Sequence, residues 1–413
     1  MEEWKEFKLG DVLTIKYGKD HKQLADGDIP IYGSGGIMRY GERSLYEGPS
    51  ILIPRKGSLN NIIYSDKPFW TVDTMFWTII NEEIANPLFV YYSICKKDFA
   101  SLNVGSAVPS LTVPVIEDIE ILLPSKNTQD KIVDILKSLD DKIEVNRRIN
   151  DNFVIDSFFQ ILLIWMLIMP INDNLEQQAQ ALFKSWFVDF EPFKDGEFVE
   201  SELGMIPKGW RVGKLGEICK CILGGTPSRN KESYWNGNIP WINSGEVNEF
   251  RIIKPSEYIT QEGLDHSATK LLPKKTTVLA ITGATLGQVS LLEIDSCANQ
   301  SVIGVLENET IPYEFIYPLV NDRINELCSH MTGGAQQHIN KNNVEQLDVI
   351  IPQQDVMSLY RDKTKAIYAH IGNLCFESHR LAELRDTLLP KLMSGEIKVE
   401  DVTFTKKAMT IEK

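Results

Sequence analysis

Two rhythms of apolar residues alternate along this chain. In residues 1–124 and 205–352 they come as short β-type runs, among them SILIP (50–54), TVLAIT (277–282) and DVIIP (348–352), set in sequence rich in Gly, Pro, Asn and Ser. Runs of that length bounded by turn residues predict compact mixed α/β modules with many loops. Elsewhere the period changes to three and four. Ile132, Ile135, Leu136, Leu139 and Ile143 form one stripe, and Tyr360, Ile367, Ile371, Leu374, Leu381, Leu384 and Leu388 a second. Residues 128–190 and 355–394 are therefore predicted to be helical. Thr128 and Asp130 are start signals for the first helix, and Gly395 is a stop for the second. Each stripe is narrow and backed by charge, so each helix has a seam to bury, and its obvious partner is the other helix. Asn146, at an a-type position of the first, is either a register-setting polar residue or a solvated helix Asn.

The alternation reflects a duplication. Residues 104–124 align without a gap on residues 332–352, placing Gly105 on Gly333, Ala107 on Ala335, Glu117 on Glu345 and Pro124 on Pro352, an offset of 228. The module starts match as well: Trp4, Leu9, Gly10 and Asp11 on Trp210, Leu215, Gly216 and Glu217. Beyond residue 175 the offset falls to 206, with Leu175, Ala181, Leu182 and Phe183 on Leu381, Thr387, Leu388 and Leu389. The tetrapeptide INDN occurs twice, at 149–152 and 171–174, and its two copies are separated by the same amount as the two offsets. An inserted block, 153–174, thus interrupts the first helical stretch. The predicted organisation is a first module (1–124), a helical spacer with that insertion (125–200), a second module (201–352), a second helical spacer (353–400) and a tail (401–413). Two copies of one module suit a task with two similar targets.

The block is apolar on all sides, but its cleanest run, Ile161–Ile171, is short of the ~20 residues of a membrane span and contains Pro170. If helical throughout, it would lengthen the connector by ~33 Å and turn the downstream face by about 40°; Pro170 argues for a break instead. An apolar bulge against a partner is the milder alternative.

Composition is that of a soluble globular protein, 43% apolar and 24% charged. The six cysteines show no C-x-x-C pair, as expected of reduced thiols in a cytoplasmic protein, and the charged N-terminus lacks the apolar run of a secretory signal. The net charge of −14 contains no basic segment large enough to serve as a nucleic-acid footprint. Any phosphate affinity must come from local Arg/Lys clusters or from a basic partner.

Catalytic signatures are largely missing. There is no phosphate-binding P-loop, no H-E-x-x-H, no G-x-S-x-G elbow, and the six histidines lack metal-ligand spacing. Asn86-Pro87-Leu88-Phe89 resembles the Asn-Pro-Pro-aromatic motif of amino-methyltransferases, with Leu in place of the second Pro and no Gly-rich nucleotide loop before it; a helix with Pro in its first turn is the alternative. Several Gly-containing polar loops hold the residue types that read base edges: Arg39 and Arg43; Arg55, Lys56, Asn60 and Asn61; Arg229, Lys231, Tyr234 and Trp235; Gln288; and Gln336, Gln337, His338 and Lys341. Chosen by residue type, they are the candidate DNA-binding residues; solvated surface loops explain any single cluster equally well.

Four strings, ALFKSWFVDFEPF (181–193), LGMIPKGWRVGKLGE (203–217), GGTPSRNKESYWNGNIPWINSGEV (224–247) and LRDTLLPKLMSGEI (384–397), occur in this order. On them the chain resembles the specificity (S) subunit of Type I restriction–modification systems over residues ~4–397. The resemblance implies an α/β fold: two target-recognition domains, each reading half of a split double-stranded DNA target, joined by two long helices in an antiparallel coiled coil. It further implies docking of two methyltransferase (M) subunits and association with endonuclease/translocase (R) subunits, without a membrane. Catalysis, with its S-adenosylmethionine, ATP and Mg, would belong to those partners, and this chain would hold no cofactor or metal. The rival readings are a self-sufficient methyltransferase-like enzyme built around Asn86–Phe89 and a helical scaffold that does not bind DNA. The inserted block departs from the family pattern at the spacer.

Overall fold

A computed structural model describes residues 4–105, 108–150, 175–329 and 338–397. The described residues pack as two units: those up to Lys142 together with those from Arg380 onward, and Ile143–His379. The insertion at 153–174 lies outside the described residues.

In the first unit the order is β1 (Lys5–Lys8), α1 (Leu9–Val12), β2 (Leu13–Tyr17), β3 (Ile29–Gly33), β4 (Gly36–Gly41), β5 (Ser50–Pro54), β6 (Ile63–Ser65), β7 (Trp70–Thr71), β8 (Met75–Ile80), α2 (Pro87–Ile94), α3 (Val113–Glu117), β9 (Glu120–Leu123) and the start of α4 (Lys126–Asn150). Its sheets run β2-β8-β5-β6, β4-β3-β7 and β1-β9. The predicted run SILIP is β5, whose five residues are all buried, as a strand covered on both faces should be.

The second unit repeats this plan after two leading elements. Helix α5 (Leu175–Phe187) and the hairpin β10 (Phe198–Ser201)–β11 (Gly204–Pro207) come first. Then follow β12 (Arg211–Lys214), α6 (Leu215–Ile218), β13 (Lys220–Leu223), β14 (Trp235–Ile242), β15 (Glu257–Ile259), α7 (Gln261–Asp265), β16 (Thr277–Ala280), β17 (Val289–Leu291), β18 (Cys297–Ala298), β19 (Val302–Leu306), α8 (Tyr313–Asp322), α9 (Ile324–Ser329), α10 (Lys341–Glu345), β20 (Asp348–Ile351) and α11 (Gln354–Met393). The sheets are β13-β19-β16-β17, β15-β14-β18 and β12-β20. Each has its counterpart in the first unit, down to the single parallel pairing in each three-stranded sheet, β3 with β7 and β14 with β18. The duplication extends to packing: Gly10 and Gly216 each lie directly against the side chain at the equivalent glutamate, Glu117 and Glu345.

The helical stretches do not form bodies of their own. Ile132, Val133 and Leu136 of α4, with Leu389 and Leu392 of α11, enter the core of the first unit. Phe183, Trp186 and Phe187 of α5, with Met357 and Tyr360 of α11, enter that of the second. A stripe this apolar is buried against the nearest open face of a module. The repeat predicts the correspondence, since Leu389 and Phe183 occupy matched positions. One member of the predicted stripe departs: Leu384 is exposed, and its neighbour Arg385 takes the inward position, bonded to Asp140.

Within the second unit the helices run antiparallel. Trp186 and Phe187 meet Tyr360 in a tilted and an edge-on contact, with ring centroids 5.7 and 4.7 Å apart, whereas Ala179, earlier on α5, shares a cluster with Tyr368, later on α11. Asn146 is fully buried and donates from Nδ2 to Glu377 Oε2 at 2.9 Å. Of the two readings of this residue, the structure selects the buried polar one.

Candidate nucleic-acid interface

The ends of β2 and β5 and the loop before β8 meet at one rim of the first module. The N–H of Gly18 donates to the Met75 carbonyl at 3.0 Å, that of Arg55 to Thr74 at 2.8 Å, and that of Leu111 to Arg55 at 2.9 Å. The second module builds the same rim from matched positions: Gly224 to Val302 at 3.0 Å, Ile281 to Ser301 at 2.9 Å, and Ile339 to Ile281 at 3.1 Å. A Cβ on Gly18 would stand 2.0 Å from the Val72 carbonyl oxygen, and one on Gly224 2.1 Å from that of Asn299, so neither position accepts a side chain. Two indoles brace the next residue: Trp70 Nε1 donates to the Lys19 carbonyl at 3.0 Å, and Trp241 Nε1 to that of Gly225 at 3.2 Å.

On this common frame the side chains differ. In the first module Tyr17 is 56% exposed, with the Arg55 guanidinium 5.5 Å above its ring, and Arg43 lies 5.8 Å from the Trp70 ring. Leu223 and Ile281 occupy the positions of Tyr17 and Arg55 in the second. There the Arg229 guanidinium lies 3.6 Å from the centroid of the Trp235 ring and 5.2 Å from that of Trp241. Both terminal nitrogens of Arg229 donate to Glu257, at 2.7 and 2.6 Å. This forked bond raises the Arg229 pKa and lowers that of Glu257, so the pair stays ionised and mutually neutralised.

The candidate residues chosen from sequence therefore separate by placement. Arg43, Arg55 and Lys56 stand at or beside the first rim, with Asn61 donating to the Ser34 carbonyl at 2.9 Å. Arg39 is turned inward to the 21–26 loop, donating to the carbonyls of His21 and Leu24 and to Asp26. Asn60 accepts from Ala100 N and donates to Asp98. Tyr234 is only 3% exposed, its hydroxyl held by Lys231 Nζ at 2.8 Å; a ring so enclosed belongs to the core, a correction to its choice as a base reader. Trp235 donates to the Ser228 carbonyl beneath Arg229. Gln288 and His338 are exposed, and Lys341 pairs with Glu345 one turn along α10. Gln336 and Gln337 lie outside the described residues. Sequence reasoning missed Tyr17 and Lys19; the signal was an aromatic at a strand end followed by a glycine, Gly18, that the second copy matches with Gly224. Asn86, the one candidate for methyltransferase chemistry, caps α2: its Oδ1 accepts from Leu88 and Phe89 N–H, and its Nδ2 donates to Asp130.

The described residues thus hold one α/β module twice, with a loop rim repeated on a common backbone frame and different side chains on each copy. The family described as Type I restriction modification DNA specificity domain matches residues 1–152 and 207–359, well over half of the sequence, and the chain belongs to it. It is 23% identical to the Type I restriction enzyme HindI specificity subunit of Haemophilus influenzae, across 96% of this chain and 100% of that one. It is 26% identical to the MjaIX specificity subunit of Methanocaldococcus jannaschii, across 97% and 95% respectively. The fold is that of the crystal structure of a Type-I restriction-modification S subunit from M. genitalium, with TM-score 0.58 at 16% identity over 95% of this chain and 96% of the other. The chain is thus a Type I specificity subunit, the DNA-recognition component of such systems. Among the described residues no helix is long and apolar enough to cross a membrane.

Proposed function

We propose that this subunit reads a bipartite double-stranded DNA target, one half with each rim, and docks two methyltransferase subunits that perform the chemistry, with endonuclease/translocase subunits completing a phage-defence complex. The observation that carries the reading is the rim built twice on one backbone frame with unlike side chains. Two sites that share a scaffold but not their contacts suit two different half-sites, because base edges are distinguished by side-chain type and placement. The capping role of Asn86 weighs against a self-sufficient enzyme, and S-adenosylmethionine, ATP and Mg would be held by the partners. The test is genome-wide mapping of methylated bases in cells carrying this subunit with its methyltransferase subunit. A split motif with two defined halves is expected; methylation without sequence preference would end the reading.

A further inference from the structure

The candidate cations of the two rims are not in equivalent states. Arg229 is locked to Glu257, Lys231 to the Tyr234 hydroxyl, Lys341 to Glu345 and Arg39 to Asp26. Arg43, Arg55 and Lys56, all in the first module, have no carboxylate partner among the described residues. Arg55 is also oriented. Its Nη1 donates to the Asp73 carbonyl at 3.2 Å, its Cζ lies over the Tyr17 ring, 5.5 Å from the centroid, and Tyr17 is backed by Phe76, 5.1 Å away in an edge-on contact. A guanidinium fixed by a backbone acceptor and an aromatic face loses little freedom on forming further bonds, and its remaining donors keep the fork that matches two adjacent acceptors. The matched positions in the second module, Leu223 and Ile281, offer neither charge nor donor.

We propose that Arg55, laid on Tyr17, is the base-reading side chain of the first module and takes a guanine of its half-site through O6 and N7, with Lys56 and Arg43 on flanking phosphates. This rests on the bipartite DNA reading above. Guanine is the base whose major-groove edge places two acceptors side by side for an arginine fork. Lys56 follows Arg55 directly and is exposed; Arg43, also exposed, lies 5.8 Å from the ring of Trp70, whose Nε1 donates to the Lys19 carbonyl two residues beyond Tyr17.

The experiment uses the subunit assembled with its methyltransferase subunits, whose methylation motif is mapped first for the wild type and then for Arg55→Ala, Arg55→Lys, Tyr17→Leu and Lys56→Ala. Arg55→Ala and Tyr17→Leu are expected to cut discrimination at a guanine in one half of the motif by roughly 5- to 150-fold, leaving the other half as it was. Arg55→Lys should follow them, because lysine keeps the charge and loses the fork. Lys56→Ala should weaken binding to all sequences alike and lower the salt slope by about one. An unchanged motif with Arg55→Ala, or equal relaxation of both halves, overturns the proposal. A wild-type complex with no split motif is a different failure: it removes the bipartite reading, and the proposal with it. Tyr17 is exposed and Arg55 half-buried at the surface, so thermal melting and assembly with the methyltransferase subunits check that the variants fold.

Discussion

At the scale of single residues, the strongest electrostatic commitment lies away from both rims. Arg251 and Glu176 are wholly buried and joined at 2.6 Å, with Arg251 also donating to the Tyr317 hydroxyl at 3.1 Å and lying against the rings of Phe250 and Tyr317. The pair joins α5 to the second module. Removing one partner strands the other charge in a dry site, so Arg251→Met is expected to destabilise the protein by about 3–5 kcal/mol, and Arg251→Met with Glu176→Leu to recover much of that loss. Urea titration of both variants measures it; equal stability of the two would show that Glu176 is not stranded. The thiols give a second test. Burial pushes Cys219 and Cys221 up to about 12 and Cys297 to about 11. The thiolate is the reactive form, so these three should resist alkylation near pH 8 until the chain unfolds. Stability from these raised values is complete below about pH 8.5, where unfolded cysteine titrates, and is lost as pH climbs toward 12. Rapid native labelling of any of the three would contradict their placement.

At the scale of elements, the helices are the most legible part of the sequence, because a 3–4 period repeated over many turns leaves few alternatives. What the period cannot reveal is which surface each stripe meets. A helix–helix seam accounts for Ile132 and Leu136 only in part, since they also close the first module's core. Arg385 displaces Leu384 from the inward face because Asp140 offers it a partner. The register of the second unit bears on the interrupted helix. The stretch from Asn146 to Ala179 is far longer in sequence than the stretch of α11, from Glu377 back to Tyr368, that its two end residues meet. Deleting Phe153–Asn174 would bring the first stretch close to the length of the second. This deletion is therefore expected to keep the Asn146–Glu377 bond and the Ala179 contact, and to fold with no loss of stability. A variant that fails to fold, or loses helical circular dichroism beyond the deleted length, would show that the block is needed.

At the scale of the whole molecule, the duplication is legible from matched residues alone, and the two modules repeat it strand for strand. The rims are not legible. Their frame comes from backbone hydrogen bonds between segments far apart in the chain, such as Gly18 with Met75 and Arg55 with Leu111, and composition says nothing of those meetings. Selecting loops by residue type therefore gathers Arg39, Asn60 and Tyr234, which hold the fold, together with Arg43, Arg55 and Lys56, which face outward. The acidic total of −14 misleads in the same way. It averages over the chain, whereas Arg43, Arg55 and Lys56 of the first module have no carboxylate partner among the described residues.

The collision that forbids a side chain at Gly18 and Gly224 has a consequence for how such a chain can change. Drift is barred at those two sites, and the freedom to vary shifts to the residue just before each, tyrosine in one copy and leucine in the other. Under the proposed DNA reading, one substitution at an exposed strand end would change the contacts of either half independently, while the buried architecture stays as it is.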